Sequence, residues 1–373
     1  MLWSTASALR FQLRGSRVFA QGGVSRIGGA AYFEVVTDSE PYSESVRHLN
    51  HRHALRAIID YLQRNAIINS LSDIEVVIHC IAHGGEMFRH TKLLHHEDAQ
   101  RLHGISYLSP DLPANVVTLR AAMSQLSRAK HVGVFDTSFT ALMPAEAAHY
   151  ALPSIATQRF HIRRYGYQGI LHQEAYLRAS ALLKRPRRVV SAHIGADVSI
   201  TAIRDGVAVE TSTGFTAAEG LPGLTRAGSI DPRIPLHFAA HLRLTPQQVD
   251  KLLNVKSGLA SMTGKPSYDA IMAGARAKDK ACIEALLHLS YRIAQSVAGM
   301  SAAIGGIDVI VFSGEGASWA VIEEVCSRLS HMGVKLGKRK AAGVISKPGS
   351  VKVVLVRIRE DDALFNEAAR FLG

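Results

Sequence analysis

Residues 193–209 read His193-Ile194-Gly195-Ala196-Asp197-Val198-Ser199-Ile200-Thr201-Ala202-Ile203-Arg204-Asp205-Gly206-Val207-Ala208-Val209. A bend of small residues leads into an apolar strand, an Asp-Gly turn and a returning strand, which is a hairpin pattern. The same plan stands near the start, where the small, hydroxyl-rich run Ser4–Ala8 precedes Leu9-Arg10-Phe11-Gln12-Leu13-Arg14-Gly15-Ser16-Arg17-Val18-Phe19. Both hairpins carry an Arg before the turn. Hairpins are common, so two unrelated ones and a repeated domain both stay open on this pattern alone.

Working outward, Val76–Ala82 and Val132–Asp136 read as buried strands, and Ala54–Asn65 and Val116–Ala129 as helices by apolar spacing. The later half repeats the alternation. Val189–Ala192, Asp308–Phe312 and Val351–Arg357 are strands, Ala281–Ile304 is a long helix striped by Ala285, Leu289, Ile293 and Val297, and Asp362–Leu372 is a closing helix. Strands alternating with helices predict an α/β fold with a mostly parallel sheet. The expected division is 1–148, 149–361 and a closing helix 362–373, since 373 residues exceed what one core usually supports.

A hydrophobic content of 47% excludes a disordered or collagen-like chain. Subtracting 31 Asp plus Glu from 43 Lys plus Arg gives +12, which favours anionic partners without choosing among them. The basic runs Arg163–Arg164, Lys184–Arg188 and Lys335–Lys340 lack interleaved aromatics and read first as solvated faces. No groove-entering element is identifiable, so nucleic-acid binding ranks last. Cys80, Cys282 and Cys326 are far apart without C-x-x-C spacing, which indicates neither a zinc site nor a disulfide framework. No leader pattern and no run near ~18 apolar residues is present, so a cytoplasmic protein without a membrane span is expected.

Five segments concentrate chemistry. His83-Gly84-Gly85-Glu86 follows a strand, where paired glycines let backbone N–H groups approach an anion. Asp136 in Phe135-Asp136-Thr137 stands at a strand end as a catalytic carboxylate or a helix cap. Arg163–His172 gathers two guanidiniums, aromatics, glycines and an imidazole, and guanidinium forks suit phosphate and carboxylate oxygens. Arg226 centres the Gly-rich segment 219–232, as a functional cation or a salt-bridged surface residue. Phe312-Ser313-Gly314-Glu315-Gly316 has the form of a nucleotide contact or a plain strand-to-helix turn.

Taken together and in order, these segments resemble the acetate kinase family, carboxylate kinases of the sugar kinase, Hsp70 and actin superfamily. The family patterns N-S-G-S-S-S-L-K-F, H-R-x-x-H-G-G-E, F-D-T-x-F-H-x-x-M-P, R-R-Y-G-F-H-G-x-S-H, H-L-G-N-G-x-S and T-R-S-G-D-I-D-P have counterparts at Trp3–Phe11, His79–Glu86, Phe135–Pro144, Arg163–His172, His193–Ser199 and Thr225–Pro232. The resemblance implies two similar ribonuclease H-like α/β domains with an interdomain cleft, and a closing helix that returns toward the first domain. It also implies ATP and Mg²⁺, a homodimer, and transfer of the γ-phosphoryl of ATP to a short-chain carboxylate in organic acid metabolism. By carry-over, Asp136, Arg226 and His172 are catalytic; His193, Gly195 and Gly314 contact the nucleotide; Ala82, Tyr167 and Ala217 line the acyl pocket; and Glu360 supports the metal.

Several positions depart from the family pattern. The Asn of N-S-G is Trp3, the Arg of H-R-x-x-H-G-G is Cys80, and the His of F-H-G is Gln168. H-L-G-N-G has become His193-Ile194-Gly195-Ala196-Asp197, which sets a carboxylate beside where phosphates would lie. The late loop 314–319 is bulkier than G-G-I-G-E-N, ending in Trp319, and carries its carboxylate earlier, at Glu315. Because charged contacts at a phosphoryl centre are each worth ~10²-fold, these losses support an alternative, a catalytically impaired pseudo-enzyme that binds a nucleotide, an anionic metabolite or a protein.

Overall fold

The computed structural model describes residues 1–38, 40–47 and 50–373. Its chain forms two compact units, Met1–Ser138 with Arg359–Gly373, and Phe139–Ile358. The division falls after Ser138, ahead of the boundary expected at 148, and the C-terminal helix Glu360–Leu372 belongs to the first unit.

Among the described residues the first unit has eight strands: β1 (Leu2–Thr5), β2 (Ala8–Arg14), β3 (Val18–Ser25), β4 (Ala30–Thr37), β5 (Tyr42–Arg47), β6 (Val76–Ile81), β7 (Lys92–Leu93) and β8 (Lys130–Phe135). They lie in the order β5-β4-β3-β2-β1-β6-β8-β7. The second unit has β9 (Arg188–Ile194), β10 (Val198–Arg204), β11 (Val207–Thr211), β12 (Val309–Ser313), β13 (Gly343–Val344) and β14 (Lys352–Leu355), in the order β11-β10-β9-β12-β14-β13.

One pattern underlies both sheets. An antiparallel meander, β3-β2-β1 or β11-β10-β9, continues into two parallel strands, β6-β8 or β12-β14. The two hairpins are therefore equivalent parts of two similar α/β domains. The expectation of mostly parallel sheets is corrected, because each meander, lengthened in the first unit by β4 and β5, contributes antiparallel pairs. In the second hairpin Asp205 (φ 53) and Gly206 (φ 89) both adopt left-handed backbone, the conformation a two-residue turn between right-twisted strands requires. The first hairpin turns at Gly15–Arg17, at the glycine that the sequence pattern marks.

Helices His51–Arg64 and Leu112–Gln125 cover the first sheet through Leu55, Ile58, Leu62 and Leu119. The long helix Lys280–Ile304 buries Ala285, Leu289, Ile293 and Val297, all 0% exposed, against β9 and β10. That stripe is core and is unavailable as a dimer surface; the exposed large apolar side chains on this helix are Ile283, Leu287 and Tyr291. No helix among the described residues is long and apolar enough to cross a membrane.

Candidate functional site

In the first unit, the sheet register brings the substituted positions together. Trp3 pairs with Arg10 on one side and with Cys80 on the other, so the three side chains share one face of the sheet. Cys80 is half-buried; desolvation and then the Glu360, Asp136 and Asp111 carboxylates hold its thiol well above the ordinary range. Glu360 opens the C-terminal helix, and burial followed by the adjacent Asp361 raises its carboxyl, with Arg10 opposing. Asp136 follows β8, where its N–H donates to the Ile81 carbonyl at 3.0 Å. Asp136 and Glu360 thus gather around Cys80, while Arg10 is a cation that sequence reasoning did not single out.

The C-terminal helix is fixed in that unit by polar contacts. Arg14 Nη1 meets Asp362 at 2.8 Å and its guanidinium stacks 4.1 Å from the Phe365 ring centroid, while Thr91 donates to Glu367 at 2.8 Å. In the His83-Gly84-Gly85 turn both glycine N–H groups are engaged within the fold. Gly84 N–H donates to Thr137 Oγ1 at 3.1 Å, and Gly85 N–H to His83 Nδ1 at 2.8 Å. A Cβ on Gly84 would stand 2.3 Å from the Phe88 carbonyl oxygen, so the glycine serves chain packing rather than the expected anion approach. Ala82 is held by its N–H to Asn115 Oδ1 at 2.9 Å.

In the second unit, a polar chain runs from the N-terminus of helix Gly169–Leu183 to the bend between β9 and β10. Gln168 caps that helix in left-handed backbone (φ 60, ψ 24). Its Nε2 donates to the Asp197 carbonyl at 3.3 Å, and its Oε1 accepts from the Ser199 hydroxyl. Ser199 also meets His172 Nε2 at 2.8 Å, and His172 Nδ1 meets Ser191 Oγ at 2.8 Å. His172 is 0% exposed, and burial lowers its pKa to about 3, so the imidazole is neutral near pH 7 with both nitrogens engaged. His193 is likewise buried, pushed down to about 4, and bonded through Nδ1 to Ser313 Oγ at 3.0 Å.

Arg226 Nε stands 2.8 Å from Asp197 Oδ1, both side chains being half-buried. Burial raises the Asp197 carboxyl and Arg226 opposes that rise. The residue expected to crowd phosphates is therefore the ion-pair partner of the expected catalytic arginine. Arg164, by contrast, is locked to Glu219, 3.5 Å from Glu210, and bonded to the Thr211 carbonyl at 2.9 Å. Its guanidinium is structural, not the free anion fork expected of that segment. Tyr167 N–H donates to Thr213 Oγ1 at 2.9 Å and its hydroxyl to the Phe215 carbonyl at 3.1 Å, two residues before the half-buried Ala217.

His193, Gly195 and Gly314 collect at the carboxyl ends of β9 and β12, where open α/β sheets place ligands. A Cβ on Gly314 (φ +93) would lie 2.3 Å from the Ile194 carbonyl oxygen. Nearby, the Tyr268 hydroxyl is buried without a hydrogen-bond partner, and burial with Glu315 and Asp197 raises its pKa. A buried orphan donor of this kind fits a phosphate-bearing ligand. For Mg²⁺, the hard carboxylate oxygens of Asp136 and Glu360 fit. The described residues contain no group of three ligating side chains that could hold a metal alone, which suits an ion taking one or two carboxylates plus substrate phosphates.

A sequence model of the acetokinase family matches residues 1–366. An acetate kinase of Thermotoga maritima is 35% identical, over 96% of this chain and 94% of that protein. Among solved structures, the acetate kinase of Porphyromonas gingivalis superposes with a TM-score of 0.91 at 30% identity, covering 100% of this chain and 99% of the other. A propionate kinase of Francisella tularensis gives 0.90 at 25% identity, covering 98% and 97%.

Proposed function

The chain belongs to the acetokinase family, and on that premise we propose that it is a carboxylate kinase that converts ATP and a short-chain carboxylate to ADP and an acyl phosphate. The match of the family over residues 1–366 carries this reading. Its chemistry asks little covalent help and much fixed charge around the phosphoryl in transit. Arg226 supplies that charge to the phosphoryl oxygens. Asp136 and Glu360 hold the Mg²⁺ whose charge, when bound, neutralises the nucleotide phosphates. His193, Gly195 and Gly314 contact the nucleotide, and Ala82, Tyr167 and Ala217 shape the acyl pocket.

His172 takes a different part from the one its motif implies. Neutral and enclosed, it orients Ser199, which fixes the Gln168 amide, so it positions a donor rather than giving a proton or a charge. The same reading carries a homodimer through the second unit, which sedimentation equilibrium reads directly, and a cytoplasmic location. Acyl-hydroxamate formation with Mg-ATP across several short carboxylates, run beside calorimetric titration of ATP, tests the whole. Binding without turnover would favour the pseudo-enzyme reading, for which the pairing of Arg226 with Asp197 is the specific observation.

A further inference from the structure

Two ways of holding an arginine stand side by side in the second unit. Arg187 spends Nε and Nη2 on Asp205, at 2.6 and 3.2 Å, and Arg188 spends Nε and Nη2 on Asp308, at 3.0 and 2.5 Å. Both are closed locks in which the guanidinium fork is consumed. Arg226 differs. Its Nε meets Asp197 Oδ1 at 2.8 Å as an ion pair, and among the described residues no hydrogen bond takes any of its side-chain nitrogens.

The backbone around the pair is fixed from both sides. Leu224 N–H donates to the Ala196 carbonyl at 2.7 Å, tying the arginine loop to the bend that carries Asp197. Ala227 N–H donates to Leu253 at 2.9 Å and Ser257 N–H to Thr225 at 3.1 Å, closing the other flank. A Cβ on Gly223 would lie 2.7 Å from the Ala196 oxygen, and one on Gly258 2.8 Å from the Arg226 nitrogen. Asp197 itself is anchored by its carbonyl, which accepts from Gly195 N–H at 3.1 Å and from Gln168 Nε2 at 3.3 Å. Two residues that depart from the family pattern, Gln168 and Asp197, are therefore bonded to one another, and Asp197 also carries the ion pair to the arginine.

We propose that Asp197 is a positioning residue for Arg226, holding the guanidinium by its Nε edge so that Nη1 and Nη2 stand as a preset fork for a phosphoryl group. The inference rests on the kinase reading above and deepens it. Planar, bidentate recognition of phosphate depends on the fork being oriented before the anion arrives, and a half-buried arginine on a long side chain gains most from such an anchor. The Asp197 carboxylate also adds negative charge beside the anion. Anchoring and charge therefore predict opposite signs when it is removed.

The decisive probe is inorganic phosphate, titrated calorimetrically into the full chain, with Asp197→Gly and Asp197→Asn variants whose folding is checked by thermal melting. Asp197→Gly is expected to weaken phosphate binding about tenfold and to lower kcat with little change in carboxylate KM. Asp197→Asn keeps an acceptor and should restore most of the affinity. In an Arg226→Ala background the glycine substitution should cause no further loss, because the anchoring acts through that side chain and only the repulsion of the carboxylate is left to remove. Unchanged or tighter phosphate binding in Asp197→Gly, or a loss that persists without Arg226, would overturn the proposal. If the wild-type chain forms no acyl phosphate, the kinase reading fails, while the phosphate titration still decides the role of Asp197.

Discussion

Acid should unfold the second unit through its buried histidines. His172 and His193 are held near 3 and 4 by burial, whereas an imidazole in the unfolded chain titrates near 6.5. The folded values lie below the unfolded ones, so between these limits the unfolded state binds more protons and stability falls as pH falls. At pH 5 the cost relative to pH 8 is about 2 kcal/mol for each histidine and about 4 kcal/mol for both. Asp197 and Glu210, whose carboxyls burial raises, act in the opposite direction at lower pH, so the comparison is best made as a difference between variants. His172→Gln keeps a partner for Ser191 and Ser199 and does not titrate. Urea unfolding followed by Trp319 fluorescence, in a Trp3→Phe background that leaves a single indole in the second unit, reads the transition. The glutamine variant should lose about 2 kcal/mol less than its parent between pH 8 and pH 5. Equal losses, or a His172 ring proton that titrates near 6.5 by NMR, would refute the argument.

Two further outcomes follow from the first unit and from the polar chain. The Cys80 thiol, desolvated and faced by Glu360 and Asp136, should alkylate far more slowly than a free thiol at pH 8, and fast labelling with loss of activity would make it a reactive group instead. Restoring Cys80→Arg together with Gln168→His should raise acyl-phosphate formation, by ~10²-fold for each contact fully regained; Trp3, the ladder neighbour of Cys80, is expected to limit the gain, so Trp3→Asn added to the pair should increase it further. No gain in either combination, with ATP still bound, would place the altered chemistry elsewhere.

The elements were legible wherever one period dominated. The strands at 76, 132, 189, 309 and 351 and the helices at 54, 116, 281 and 362 were readable from apolar runs and stripes, and each lies within a few residues of its expected bounds. The strands β3 to β5 were not fully readable, because Gln21-Gly22-Gly23 breaks one of them with residues of low strand propensity. The small helices between 233 and 276 were missed for a similar reason, being short and mostly exposed. The motifs located the site segments but not their pairings. Asp197 and Arg226 are distant in sequence, and nothing in either segment indicates that the carboxylate turns to the guanidinium. The same holds for Arg164, whose ion pairs to Glu210 and Glu219 become visible only in three dimensions.

The central claim is that this chain transfers a phosphoryl group to a carboxylate, with Arg226 as the cation that stabilises the transfer. The most direct measurement is the rate of acyl-hydroxamate formation from Mg-ATP and a series of short carboxylates, for the wild-type chain and for Arg226→Ala. Hydroxamate that depends on both ATP and carboxylate, and that falls ~10²-fold or more in the variant, is the predicted result. Saturable ATP binding with no hydroxamate from any carboxylate, or turnover indifferent to Arg226→Ala, would contradict it.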